Sequence, residues 1–112
     1  MSAMPQDSGE FVRACALSDL HIDQALPVDV NGTDVAVVRV GEEVFAISDE
    51  CSHANIPLSE GEVEDCTIEC WLHGSRFDLR TGAAINLPAN IPVPVYPVRV
   101  DGDDVYVGTK PS

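Results

Sequence analysis

Basic residues, aromatic rings and long apolar runs are all scarce in this chain of 112 residues, and each shortage narrows its possible roles. Six Lys and Arg stand against nineteen Asp and Glu, a formal charge of −13 at pH 7. Nucleic acid and anionic membrane are therefore poor partners, because binding either would concentrate like charges. The same imbalance suits a partner with a basic docking face, reached by long-range steering. On charge alone, acidity that merely keeps the protein soluble is an equally good reading. Aromatic residues make up 5% of the chain, so its core must be built from Val, Ile, Leu and Ala. No stretch approaches the length of a membrane span. The first residues, Met1 to Glu10, lack both a basic start and an apolar run. Residues 1–9 read as a flexible tail and not as a signal peptide, which implies a cytoplasmic protein.

Long segments of 3.6-residue periodicity, internal repeats and linkers are also missing. What remains is a series of short β signals in a chain long enough for one domain and one modest core. Phe11 to Leu17 is a first strand candidate. Ala25 to Val30 and Val35 to Val40 flank Asn31-Gly32, a strong hairpin signal, and Val44 to Ile47 follows Gly41-Glu42-Glu43. Thr67 to Cys70 and Arg76 to Leu79 come next, and Val105 to Val107 returns after the turn Asp101-Gly102-Asp103-Asp104. The spacing of the turns predicts an all-β antiparallel sandwich or small barrel spanning residues 10–109. Two excursions leave it, at about 48–61 and 70–77. A third, Leu87 to Pro94, is rich in Pro, which cannot donate to a sheet ladder. It should be a stiff connector shielding a sheet edge, or a lid over a nearby site.

The two excursions hold the chemistry. Cys51-Ser52-His53 puts a thiol and an imidazole two positions apart, and Cys70-Trp71-Leu72-His73-Gly74 repeats the pair at three. A site drawing on both would be a Cys₂His₂ set with one Cys and one His from each loop. Pro57, Gly61 and Gly74 suit such loops by turning the chain or allowing close backbone approach. Four Cys could instead form disulfides, but nothing in the chain points to an oxidising compartment. Cys15 lies in an apolar run and reads as a small core hydrophobe. Cys66 reads as an unligated thiol, since recruiting it would break the repeated Cys-then-His order. A structural zinc site usually pairs Cys with Cys and His with His, so the mixed pairs fit zinc poorly without forbidding it.

Together with Arg76-Phe77-Asp78 and Thr81-Gly82, the two boxes resemble those of Rieske 2Fe–2S proteins. The similarity is greatest to the small soluble ferredoxins that serve bacterial ring-hydroxylating oxygenases, and it covers most of the chain. The resemblance implies a Rieske-like fold with a small cluster-binding subdomain made of the two loops, and one 2Fe–2S cluster per chain. It also implies that Cys51 and Cys70 hold the inner iron, while His53 and His73 hold the outer one. Two ferric ions, two sulfides, two thiolates and two neutral imidazoles sum to zero charge. Such a centre accepts an electron more readily than an all-thiolate one, and the class spans about −150 to +300 mV.

The same resemblance bears on where in that range the centre falls. Respiratory Rieske proteins brace the cluster with a disulfide, at positions held here by Ile56 and Leu72. They also carry a Tyr that donates to a ligand sulfur, where this chain has Phe77. Fewer donors leave more negative charge on the sulfurs and lower the potential. Ser75 occupies the position of a donor that raises it. A low-potential centre is expected, somewhat less low than in relatives lacking that Ser.

An oxygenase would need a second iron held by two His and a carboxylate, and only His21 is left over. A nucleotide-binding glycine loop is also missing. The expected role is a one-electron carrier between a reductase and a terminal oxygenase or other redox enzyme, working as a monomer and not itself an enzyme. Alternatives from other classes are an accessory protein of iron–sulfur biogenesis or redox sensing, a small subunit like those of nitrite reductases, and a zinc-binding structural module.

Overall fold

The computed structural model describes residues 11–49, 57–70, 75–85 and 92–111, and ten strands lie within them. They are β1 (Phe11–Ala16), β2 (Ala25–Val30), β3 (Thr33–Val40), β4 (Glu43–Ser48), β5 (Val63–Glu64), β6 (Thr67–Cys70), β7 (Ser75–Asp78), β8 (Val95–Tyr96), β9 (Val98–Asp101) and β10 (Asp104–Gly108). The paired strands are antiparallel and form three sheets, ordered β1-β10-β9, β2-β3-β4-β8 and β5-β6-β7. Among the described residues the helical pieces are two short 3-10 turns, Leu17–Asp19 and Leu58–Glu60. No helix there is long and apolar enough to cross a membrane.

Tight turns set the register. Asn31 and Gly32 both take positive φ, 54° and 89°, and join Val30 to its register partner Thr33 as a two-residue loop. This is the geometry that matches the right-handed twist of the flanking strands. Asp29 Oδ1 accepts the Gly32 N–H at 2.7 Å and closes the turn.

The four-stranded sheet is the middle layer. Along β3, Val35, Ala36, Val37 and Val38 are all fully buried. Successive side chains point to opposite faces. Val35 and Val37 accordingly join a cluster with Cys15, Val30, Ala46, Val105 and Val107, the interior of the sandwich with β1-β10-β9. Ala36 and Val38 join a second cluster with Ile47, Leu58, Ile68, Cys70, Phe77, Leu79 and Val93, where β5-β6-β7 docks. An unbroken apolar run is what a strand covered on both faces requires. Each fully buried Val adds about 1.5–3 kcal/mol relative to exposure.

Several expectations need correction. The first strand stops at Ala16, because the Asp19 carboxylate accepts the Ala16 N–H at 3.1 Å and turns the chain into the first 3-10 turn, which takes Leu17. The strand expected over Arg76 to Leu79 runs one residue earlier, as Ser75–Asp78. Beyond the two excursions expected, the chain forms a third sheet, β5-β6-β7, in which β5 is only two residues long. The end of the Pro-rich segment acts as a connector. Val93 N–H donates to the Gly82 carbonyl at 2.9 Å, and Ser48 N–H donates to the Pro94 carbonyl at 2.9 Å, so it covers the margin of β4. Leu87 to Ile91 lie outside the described residues.

Candidate functional site

Of the four expected ligands, the structure describes Cys70. Cys51, His53 and His73 lie outside the described residues, as do Ile56 and Leu72. What can be built from the residues upward is the frame that carries both loops.

Cys70 ends β6 as a free, fully buried thiol. Its register partner is Ser75, the first residue of β7, which is also fully buried. The pair is the last of the β6–β7 register, and residues 71–74 connect the two strands in sequence. Phe77, two residues further along β7, is fully buried in the same cluster as Cys70. The position expected to lack a hydrogen-bond donor therefore faces the same interior as the thiol.

The base of the first loop is closed by Asp49, just after β4. Its carbonyl accepts the Leu58 N–H at 3.2 Å, while Oδ1 accepts the Ser59 N–H at 2.6 Å and Oδ2 the Ser59 hydroxyl at 2.9 Å. Pro57 stands at the N-cap of the Leu58–Glu60 turn and makes no side-chain cap. Asp49 supplies the acceptor from across the loop that a capping residue normally supplies in place. Burial pushes the Asp49 carboxyl up from the ordinary carboxylate range, with the Ser59 hydrogen bonds opposing that shift.

The two loop bases are packed on each other. Leu58 and Cys70 share one buried cluster. Gly61, which leaves the first loop, lies so close to β6 that a Cβ there would come within 1.5 Å of the Glu69 carbonyl oxygen. Glu69 N–H then donates to the Glu62 carbonyl at 2.8 Å and leads into the β5–β6 pairing. The segments that carry Cys51, His53 and His73 leave from one packed unit, and by residue type their donors with the Cys70 thiol match the ligand set of a Rieske cluster. The buried Cys70 beside Ser75 and Phe77 fits that group.

Charge around this unit is mainly negative. Glu60, Glu62, Glu64 and Asp65 are exposed along its rim. An open groove of about 560 Å³ between Asp23–Ala25 and Ser59–Glu64 is bordered by Asp23, Glu62 and Glu64. The nearby cations are engaged: Arg76 pairs with Glu64 at 3.4 Å and Glu69 at 3.7 Å, and Arg80 with Glu43 at 3.0 Å. Cys66 sits in the two-residue turn before β6, with its Sγ 3.0 Å from Arg80 Nη1. Cys15 is a core residue of the sandwich, as expected. His21 is exposed, and among the described residues no three His, Cys, Asp or Glu are gathered to hold a metal.

The sequence marks Gly61 only by its turn chemistry and gives Asp49 no clear mark as a support of the first loop. The available signal for Asp49 is its place two residues before Cys51, which nineteen acidic residues in the chain render faint.

Comparison with known proteins agrees with this geometry. Residues 10–97 match the model of the Rieske 2Fe-2S domain. The 3-phenylpropionate/cinnamic acid dioxygenase ferredoxin subunit of Shigella boydii is 43% identical over 97 residues, covering 86% of this chain and 91% of that protein. The solved ferredoxin of carbazole 1,9a-dioxygenase from Nocardioides aromaticivorans superposes with a TM-score of 0.87 at 44% identity, covering 89% of this chain and 98% of that one. A chain in a solved complex of reduced oxygenase and oxidized ferredoxin in carbazole 1,9a-dioxygenase matches with a TM-score of 0.86 at 34% identity, covering 91% and 95%.

Proposed function

The chain belongs to the Rieske 2Fe-2S domain family, and on that footing we propose that it is the ferredoxin of a ring-hydroxylating oxygenase system. It takes single electrons from a reductase and delivers them to the terminal oxygenase. The observation that carries this reading is similarity to dioxygenase ferredoxins along nearly their whole length, in a chain that carries Cys51, His53, Cys70 and His73. Cys51 and Cys70 hold one iron, and His53 and His73 hold the other, within one domain over residues 10–109. When bound, a 2Fe–2S cluster with these ligands supplies reversible one-electron transfer.

The residues of the chain do the rest. Cys70, buried among Ile68, Phe77 and Leu79, supplies its thiolate from a water-poor interior. Phe77, which offers no donor to the sulfurs, keeps the potential low in the class, and Ser75 raises it in part. By resemblance to Rieske proteins, His53 and His73 would hold the iron from which the electron passes to a partner. The acidic rim steers that partner through a basic face. The chain carries no substrate site of its own, acts in the cytoplasm and works as a monomer.

The test is reconstitution with a candidate reductase and oxygenase from such a system. Electron delivery should be single-electron and should slow as ionic strength rises. Failure to be reduced by any reductase of this type, or a rate indifferent to salt, contradicts the carrier role or its electrostatic steering respectively.

A further inference from the structure

Every polar atom of Asp49 is engaged, and the contacts reach in two directions. Its N–H donates to the Asp34 carbonyl of β3 at 3.0 Å. Its carbonyl and both carboxylate oxygens bind the Leu58 and Ser59 side of the loop. Between the two anchor points run residues 50–57, the segment that carries Cys51 and His53. We propose that Asp49 is a positioning residue for the metal centre, clasping this segment into the arrangement that receives the cluster. The inference rests on the reading of Cys51 and His53 as ligands.

A purely structural role for the clasp is the alternative, and the surroundings argue against it. β4 is already held by its full ladder with β3. Leu58 is fully buried in the cluster with Ile68, Cys70 and Phe77, and Gly61 is wedged against Glu69. Removing the carboxylate takes away none of the β3–β4 ladder and neither backbone bond of Asp49, to Asp34 and to Leu58. What is lost is the pair of side-chain bonds to Ser59 that close the base of the 50–57 segment. Pinning both ends of a short loop cuts the conformations it must lose when its side chains close on a metal. The acceptor chemistry is also specific. Ser59 presents an N–H and an O–H to two separate oxygens, which a carboxylate matches and a hydroxyl does not.

The experiment uses the cluster-loaded full chain and its variants Asp49→Ala, Asp49→Asn and Ser59→Ala. Three readouts are compared: the rate of cluster loss to a chelator, the electron paramagnetic resonance spectrum of the reduced protein, and amide exchange in β1 and β10. Loss of a supporting contact of this kind costs roughly ten-fold or more, so Asp49→Ala should shed its cluster at least ~10 times faster. Its spectrum should shift or broaden, while exchange in β1 and β10 stays at the wild-type level. Asn keeps an oxygen for the Ser59 N–H and can donate to the Ser59 hydroxyl, so Asp49→Asn should stay within about three-fold of wild type. Ser59→Ala, which removes the hydroxyl contact alone, should fall between, and it carries the test by itself if Asp49→Ala does not fold. Wild-type loss rates and spectra in Asp49→Ala and Ser59→Ala would overturn the clasp, as would an Asn variant as labile as the Ala variant. A wild-type protein that binds no iron would instead overturn the ligand reading, and the clasp with it.

Discussion

Cys70 and Ser75 face each other as the last register pair of the β6–β7 hairpin, and neither exposes surface to solvent. A hydroxyl beside a ligand thiolate in a buried site is a means of tuning potential. Ser75→Ala should lower the midpoint by ~40 mV, the one-electron equivalent of about 1 kcal/mol for a net hydrogen bond. Phe77→Tyr should raise it, because Phe77 lines the same interior and lacks a donor. Redox titration checks both. The wild-type midpoint should lie in the lower third of the class range, roughly −150 to 0 mV, and a value well above zero contradicts the donor count.

Val37 and Val38 are neighbours on β3 with opposite duties. Val37 packs in the sandwich with β1 and β10, and Val38 packs in the cluster containing Cys70. Either change to Ala should cost about 2 kcal/mol in denaturant unfolding, from the lost methyl groups and the cavity left behind. Only Val38→Ala should also hasten cluster loss. Equal effects on the cluster would contradict the two-sided core.

Gly61→Ala should be damaging out of proportion to one methyl group. The added Cβ would collide with the Glu69 carbonyl oxygen, which is backbone and held in the β5–β6–β7 sheet. Forced overpacking of this kind costs about 1–3 kcal/mol. Thermal melting and iron retention should both fall, whereas Gly102→Ala, whose Cβ would meet nothing within 4 Å, should keep iron retention intact despite strain at its φ of 64°.

Cys15 gives a pH signature distant from the ligand loops. Burial pushes its thiol up from the ordinary value; nearby Asp19 adds to the shift and Arg13 opposes it. A folded-state value above the unfolded one means that the native protein holds the proton more tightly. Its stabilising share is therefore complete below about pH 8.5, the unfolded value, and is lost as pH rises through the folded value. Urea unfolding between pH 7 and 10 should show a decline that is shallower in Cys15→Ala. A steeper decline in the variant would reverse the sign and contradict the burial argument.

Legibility from sequence followed whether a feature had local chemistry. Asn31-Gly32 announced its turn because those residues tolerate positive φ at low cost. Asp65-Cys66 forms an equally tight turn between Glu64 and Thr67, with φ of 53° and 59°, yet no glycine marks it. The run Val35-Ala36-Val37-Val38 marked a strand, but its double-sided burial needed the third sheet, whose β5 is too short for a periodic signal. Both Cys–His pairs were plain from spacing as candidate ligands. Their supports were not, because Asp49 meets Ser59 ten residues away and Gly61 meets Glu69 across a strand pair. Such contacts are set by the folded chain and leave no mark on neighbouring residues.

The central claim is that Cys51, His53, Cys70 and His73 hold a 2Fe–2S cluster. Metal and acid-labile sulfide analysis of the purified protein, read beside the spectrum of its reduced form, tests it most directly. The expected result is two irons and two sulfides per chain with a single-electron reduced signal, lost when any of the four residues is changed to Ala. A colourless protein with one zinc and no labile sulfide would contradict it.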